Sequence, residues 1–67
     1  MSGPYEVIWE TDDGESHYMT FPYEDHSLRK ACDFCYGLKK IKNIVRGHVY
    51  DKYNKKTFAS FDKTEDL

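Results

Sequence analysis

Cys32-Asp33-Phe34-Cys35 is the one spacing in this chain that resembles a chemical motif. Two thiolates at this spacing supply half of a tetrahedral zinc site, and the same pattern serves thiol–disulfide exchange. Zinc needs two more ligands, and with no second cysteine pair these would come from His17, His26 or His48. A redox pair needs a stabilised thiolate, which a helix N-terminus provides. Here the pair starts more than a turn inside the helix expected around it. Both cysteines also match the apolar stripe of that helix, and a buried free thiol behaves as a small hydrophobe. Core packing is therefore the expected role, with no metal and no cofactor.

Other catalytic constellations are weaker. His17, His26 and His48 are scattered over different elements. A Ser-His-Asp set can be assembled from them on paper, but no nucleophile-elbow spacing or strained glycine context supports one. The adjacent acids Asp12 and Asp13 stand beside Gly14, where turn preference explains them better than general acid/base work. They also lack the spacing of a calcium loop. A binding protein is expected, not an enzyme.

Charge says more about partners. The chain has 67 residues and a net charge of −2. Residues 1–25 hold seven acids and no Lys or Arg, whereas residues 26–58 hold nine bases against Asp33 and Asp51. Such asymmetry between segments bears on association. Glu6, Glu10, Asp12, Asp13 and Glu15, with Ile8 and Tyr18 among them, form an acidic surface suited to a basic protein, where carboxylates can stand in for phosphates. The basic alternative is Lys39, Lys40, Lys42, Arg46, Lys52, Lys55 and Lys56, interleaved with Tyr36 and Tyr53, a combination that suits phosphate contact and base stacking. Tyr50 adds a further ring to that stretch. The bland alternative is internal: the two charge blocks face each other across the fold.

These residues need elements to position them. Tyr5 to Thr11 alternates and is rich in β-formers, Asp12-Asp13-Gly14 supplies a turn, and Ser16 to Phe21 returns. A three-residue turn with a Gly14 bulge gathers Tyr5, Val7, Trp9, His17, Met19 and Phe21 on one face, leaving Glu6, Ile8, Glu10, Ser16, Tyr18 and Thr20 on the other. That register sorts apolar from polar better than a two-residue loop. Pro22 ends the strand. Asp25 or Ser27 then caps a helix, with Glu24 also favourable at its positive end. The helix has a stripe of Leu28, Ala31, Cys32, Cys35 and Leu38, widened by Phe34 and Ile41. Arg29, Asp33, Tyr36 and Lys40 lie opposite, with Arg29 and Asp33 spaced for an ion pair. Asn43 is the expected stop.

Ile44 to Tyr50 and Thr57 to Phe61 make a second hairpin. Asn54 is the expected left-handed residue of its turn, and Val49 is paired with Phe58 so that Val45, Gly47, Val49 and Phe58 share a face. The expected fold is a single α+β domain over residues 1–67, a small ββαββ arrangement with one helix packed on one face of an antiparallel sheet. Residues 1–3 and 63–67 are expected to fray. Strand order is not readable.

The expected function is a small protein-interaction module docking through its acidic first hairpin, an inhibitor or modulator of the kind phages encode. The alternative is a small nucleic-acid binder using the basic helix end and second hairpin. No apolar run is long enough for a membrane span, and Met1-Ser2-Gly3-Pro4 has neither a basic nor an apolar stretch, so the default expectation is the cytoplasm. A homodimer through an edge strand or an apolar sheet face would protect the sheet.

Overall fold

A computed structural model describes residues 4–22 and 26–66. Strands β1 (Tyr5–Thr11) and β2 (Ser16–Phe21) precede helix α1 (Ser27–Lys39), and β3 (Ile44–Asp51) and β4 (Lys56–Asp62) follow it. All neighbours are antiparallel, in the order β2-β1-β3-β4. The ββαββ plan is thus realised as one four-stranded sheet with a helix on one face. The two hairpins join through β1 and β3, which become the central strands, and β2 and β4 are left at the edges.

The first hairpin takes the register that segregation favours. Trp9 pairs with His17, Val7 with Met19 and Tyr5 with Phe21. Gly14 adopts φ 87° and donates its N–H to the Thr11 carbonyl at 3.0 Å, while the Thr11 N–H reaches the Glu15 carbonyl at 2.9 Å. Positive φ costs glycine little, which is why it holds this position. Asp13 closes the turn by accepting from the Thr11 hydroxyl and from the Glu15 N–H. Pro22 follows the last paired residue, as its missing N–H requires.

The helix start differs from expectation. Ser27 does not cap it: the residue ahead of the first turn is His26, in the left-handed region at φ 66°, with no side-chain cap. Ser27 lies inside the helix, buried, and its hydroxyl has no partner among the described residues. Glu24 and Asp25 fall outside the described residues, and none of the described first-turn residues is acidic. The end differs too. The helix stops at Lys39 rather than running to Asn43, because the N–H groups of Lys40 and Ile41 turn back to the carbonyls of Gly37 and Leu38 in tighter, three-residue steps. The apolar stripe therefore ends at Leu38, and Ile41 is left 45% exposed. Arg29 and Asp33 are both exposed and do not form the expected ion pair.

The second hairpin corrects three expectations. A bulge between Val49 and Tyr50 sets Val49 opposite Ala59 and Gly47 opposite Phe61, so Phe58 does not pair with Val49. An irregularity where β1 meets β3 sets Thr11 opposite Ile44, which sends Ile44, not Val45, into the core. In the turn it is Lys55 that takes positive φ, at 54°, while Asn54 is held by Asp51. The C-terminal segment is also not frayed throughout: Lys63–Asp66 forms a 3₁₀ turn. Lys63 Nζ donates to the Ile41 carbonyl at 2.8 Å, and the Thr64 N–H to Asp62 at 2.9 Å. The expected fraying of residues 1–3 and 67 lies outside the described residues.

Val7, Ala31, Cys35, Leu38, Ile44 and Val49 form the core, flanked by half-buried Trp9, Phe21, Leu28, Phe34 and Phe61. Phe34 makes ring contacts with Trp9 at 5.6 Å and Phe21 at 5.8 Å, which ties the helix to the first hairpin. The core is small, as expected for a chain of this length. No helix among the described residues is long and apolar enough to cross a membrane.

Candidate interaction surfaces

Strand alternation gives the sheet two different faces. Side chains in phase with Val7 and Val49 meet the helix, and those in the other phase meet solvent. Three rows cross this open face. Tyr18, Ile8, His48 and Ser60 form the middle row, with Thr20, Glu6, Tyr50 and Thr57 on one side and Ser16, Glu10, Arg46 and Asp62 on the other. Tyr18 is 68% exposed, while Ile8, His48 and Tyr50 are half-buried by their neighbours. Two shallow depressions, both open to solvent, mark this face. One of about 430 Å³ lies between β3 and β4 beside Arg46, His48, Ser60 and Asp62, and one of about 90 Å³ lies beside Ile8, Glu10 and His48.

The acidic residues divide into answered and unanswered charges. Glu6 lies 3.6 Å from the Lys52 ammonium, and Glu10 stands directly opposite Arg46, which itself lies 3.8 Å from Asp62. At the hairpin tip Asp12, Asp13 and Glu15 are exposed. Asp13 is committed to its turn, where the Thr11 hydroxyl above all, and then the Glu15 N–H, hold its carboxyl below the usual aspartate value. Glu15 sits 3.7 Å from His17, whose ring stacks on Trp9 at 5.8 Å. Ile8 and Tyr18 meet directly across β1 and β2. Glu15 stands beside His17 on the helix side, whereas Glu6, Ile8, Glu10 and Tyr18 lie together on the open face with Asp12 and Asp13 in the turn beyond.

The basic candidates fall into separate groups. The Asp12 N–H donates to the Asn43 carbonyl at 2.8 Å, which sets Lys42, and the helix end with Lys39 and Lys40, beside the acidic tip. Lys52, Tyr53, Lys55 and Lys56 occupy the turn at the other end of β3, where Lys52 also bonds the Pro4 carbonyl. Eight strand residues separate the two groups, roughly 25 Å at the usual rise. Arg46 lies on the open face, and Tyr36, 55% exposed, is on the helix's outer side. Folding therefore interleaves the acidic and basic blocks at both ends of the molecule.

The CxxC pair lies in the core region. Cys35 is buried and Cys32 half-buried, both as free thiols, and burial pushes both thiols upward in pKa. That opposes the thiolate both metal binding and exchange require. Among the described residues no three metal-ligating side chains cluster. Cys35→Ala is expected to cost roughly 1 kcal/mol, near the value of one buried methylene plus its void, and Cys32→Ala under about 0.5. Urea unfolding monitored by Trp9 fluorescence measures both, and equal costs would contradict the burial difference.

No family model, no curated protein and no solved structure matches the chain. Sequence reasoning set Glu6, Ile8, Glu10 and Tyr18 on one face of the first hairpin, and the strand register has them there. It missed that β3 adjoins β1, which adds His48, Tyr50 and Arg46 to the same face. No local signal for that adjacency exists, because strand pairing between distant segments is set by shared core contacts.

Proposed function

We propose that this protein is an interaction module, an inhibitor or modulator that docks on a basic protein surface through the open face of β1 and β2 and the acidic tip beyond it. The observation that carries the proposal is Tyr18, 68% exposed and directly opposite Ile8, with Glu6 and Glu10 on the neighbouring rows. An exposed aromatic on a rigid strand, with an apolar neighbour and charges around it, is the usual anatomy of a binding hot spot. The exposed Asp12 and Glu15 extend the negative potential and favour encounter with a cationic partner.

The test is capture from extract of the producing cell, quantified for wild type and variants. Tyr18→Ala is expected to weaken retention of the specific partner by about 30-fold or more, the scale of a 2 kcal/mol hot spot. Asp12→Lys with Glu15→Lys is expected to slow association and to remove its salt dependence. Asp13 is left alone because its carboxylate closes the turn. Tyr36→Ala serves as the control and should change nothing. Retention that survives Tyr18→Ala but is lost on charge removal at Lys39, Lys40 and Lys42, or on nuclease treatment, would transfer the assignment to nucleic acid.

A further inference from the structure

The two edges of the sheet are built differently. β4 has the features that discourage edge-to-edge association: charged residues at both ends (Lys56 and Asp62), a bulge that leaves its own Phe58 unpaired, and the Lys63 turn behind it. β2 has none of them. Its sequence Ser16-His17-Tyr18-Met19-Thr20-Phe21 contains no acid, no lysine or arginine, no glycine and no proline, and its six pairs with β1 run without irregularity. Five of its six residues are exposed, including Tyr18 at 68% and Met19 at 47%.

We infer that β2 is a homodimerisation edge, pairing antiparallel with β2 of a second copy to give one continuous eight-stranded sheet. The hydrogen-bond phase of the first hairpin determines which groups take part. The bond from the Thr11 N–H to the Glu15 carbonyl sets that phase. Counting in twos along the ladder, His17, Met19 and Phe21 direct their backbone groups to β1, and Ser16, Tyr18 and Thr20 direct theirs outward. A two-fold axis through Tyr18 pairs Tyr18 with Tyr18 of the second copy and Ser16 with its Thr20, twice over. Every outward N–H and carbonyl of the strand is then used. A shift by two residues in one direction brings in Pro22, which has no N–H to donate, and a shift in the other brings in the turn residue Gly14. Only one register is complete.

The side chains suit a second copy of this chain. The two-fold places no charge against its like, since the strand carries none apart from His17 when protonated. On the open face the two Tyr18 rings become cross-strand neighbours, and on the helix side each His17 faces Met19 of the other copy. The two most exposed apolar side chains of the strand thereby gain cross-strand neighbours, and the Tyr18 pair still presents its rings on the open face to the partner proposed above. A six-residue edge is a small contact, so the dimer is expected to be weak and dependent on concentration.

Sedimentation equilibrium from micromolar to millimolar protein tests this. The weight-average mass of wild type should rise from 8.0 kDa toward twice that value. Thr20→Pro removes an outward N–H and leaves the β1 ladder intact, so it should stay monomeric with an unchanged circular dichroism spectrum. A constant 8.0 kDa for wild type, or a dimer that persists in folded Thr20→Pro, overturns the inference. Should Thr20→Pro fail to fold, oxidative cross-linking decides. Tyr18→Cys sits on the axis, where the two Cα atoms are about 5.5 Å apart and within disulfide reach, and should give a covalent dimer. His17→Cys is offset from its copy and should not. Equal cross-linking of the two variants, or none, counts against the edge pairing.

Discussion

Gly47→Val is expected to destabilise the protein by about 1–3 kcal/mol, although valine is the better strand former. Gly47 is buried in β3, opposite Phe61. A Cβ at this position would lie 2.8 Å from Phe61 Cε1 and 3.1 Å from its Cζ, with the Ile8 carbonyl oxygen at 3.4 Å. The Phe61 ring occupies the space a side chain would need. That ring is half-buried against the core, and the Lys63 ammonium lies 5.9 Å from its centre, so displacing it disturbs the sheet and the 3₁₀ turn together. Intrinsic strand preference gives valine at most about 1 kcal/mol in return. For a chain of this length the whole stability is on the order of 3–10 kcal/mol, so the loss would show in any denaturant titration. Pairing with Phe61→Leu separates the causes. If the ring is the obstacle, Gly47→Val should cost less in the Phe61→Leu background, with a coupling above about 0.5 kcal/mol. Additive losses, or a Gly47→Val protein as stable as wild type, would contradict the packing of Phe61 over Gly47.

Nothing in the local sequence signals that contact. Gly47 within an otherwise apolar strand suggests a close approach of some kind, but not which residue approaches. The first hairpin was legible for the opposite reason. Its register follows from two short-range facts, that Gly14 can take positive φ and that only one phase puts Val7 and Trp9 on the same side as Met19 and Phe21. The second hairpin has the same alternation, but its bulge between Val49 and Tyr50 shifts every later residue by one, so Phe58 leaves the position that alternation assigns it. Bulges arise from how two strands twist and pack, and no residue type marks this one.

The helix shows the same division. Its buried face, Ala31, Cys35 and Leu38, follows from period alone, whereas its ends depend on tertiary contacts. Asn43 was the expected stop because asparagine tolerates left-handed backbone. Its carbonyl instead receives the Asp12 N–H, which draws the hairpin tip onto the connection. The open face of the first hairpin was legible from its register, and the distribution of the basic residues was not. Lysines close in sequence around residues 39–42 and 52–56 are carried by β3 to opposite ends of the molecule. Proximity in sequence misleads when an extended strand lies between two clusters, since extended chain covers distance faster than any other conformation.

Asp51 is where acid sensitivity is expected to concentrate. Its side chain ends β3 and organises the following turn: Oδ1 accepts from the N–H groups of Tyr53 at 2.9 Å and Asn54 at 3.2 Å, and Oδ2 from the Asn54 amide at 2.8 Å. Chiefly through the Asn54 side chain, and then through these backbone donors and Lys56, its carboxyl is held below the usual aspartate value. A carboxyl whose pKa is lower folded than unfolded favours the folded state when ionised. That contribution is complete above the unfolded value of about 4 and is lost as pH falls through the depressed folded value. Asp13 and Asp62 shift the same way, held mainly by the hydroxyls of Thr11 and Thr64. Their donors lie at exposed sites where water can replace them, while Asp51 is 2% exposed and its turn has no such substitute. The melting temperature of wild type should therefore fall as pH drops below about 4. Asp51→Asn should melt several degrees lower at neutral pH, because its amide presents a donor where the Asn54 side chain already donates. It should also lose less on acidification, since the principal titrating group is gone. An Asp51→Asn protein that falls as steeply as wild type below that pH would place the acid sensitivity at Asp13 and Asp62 instead.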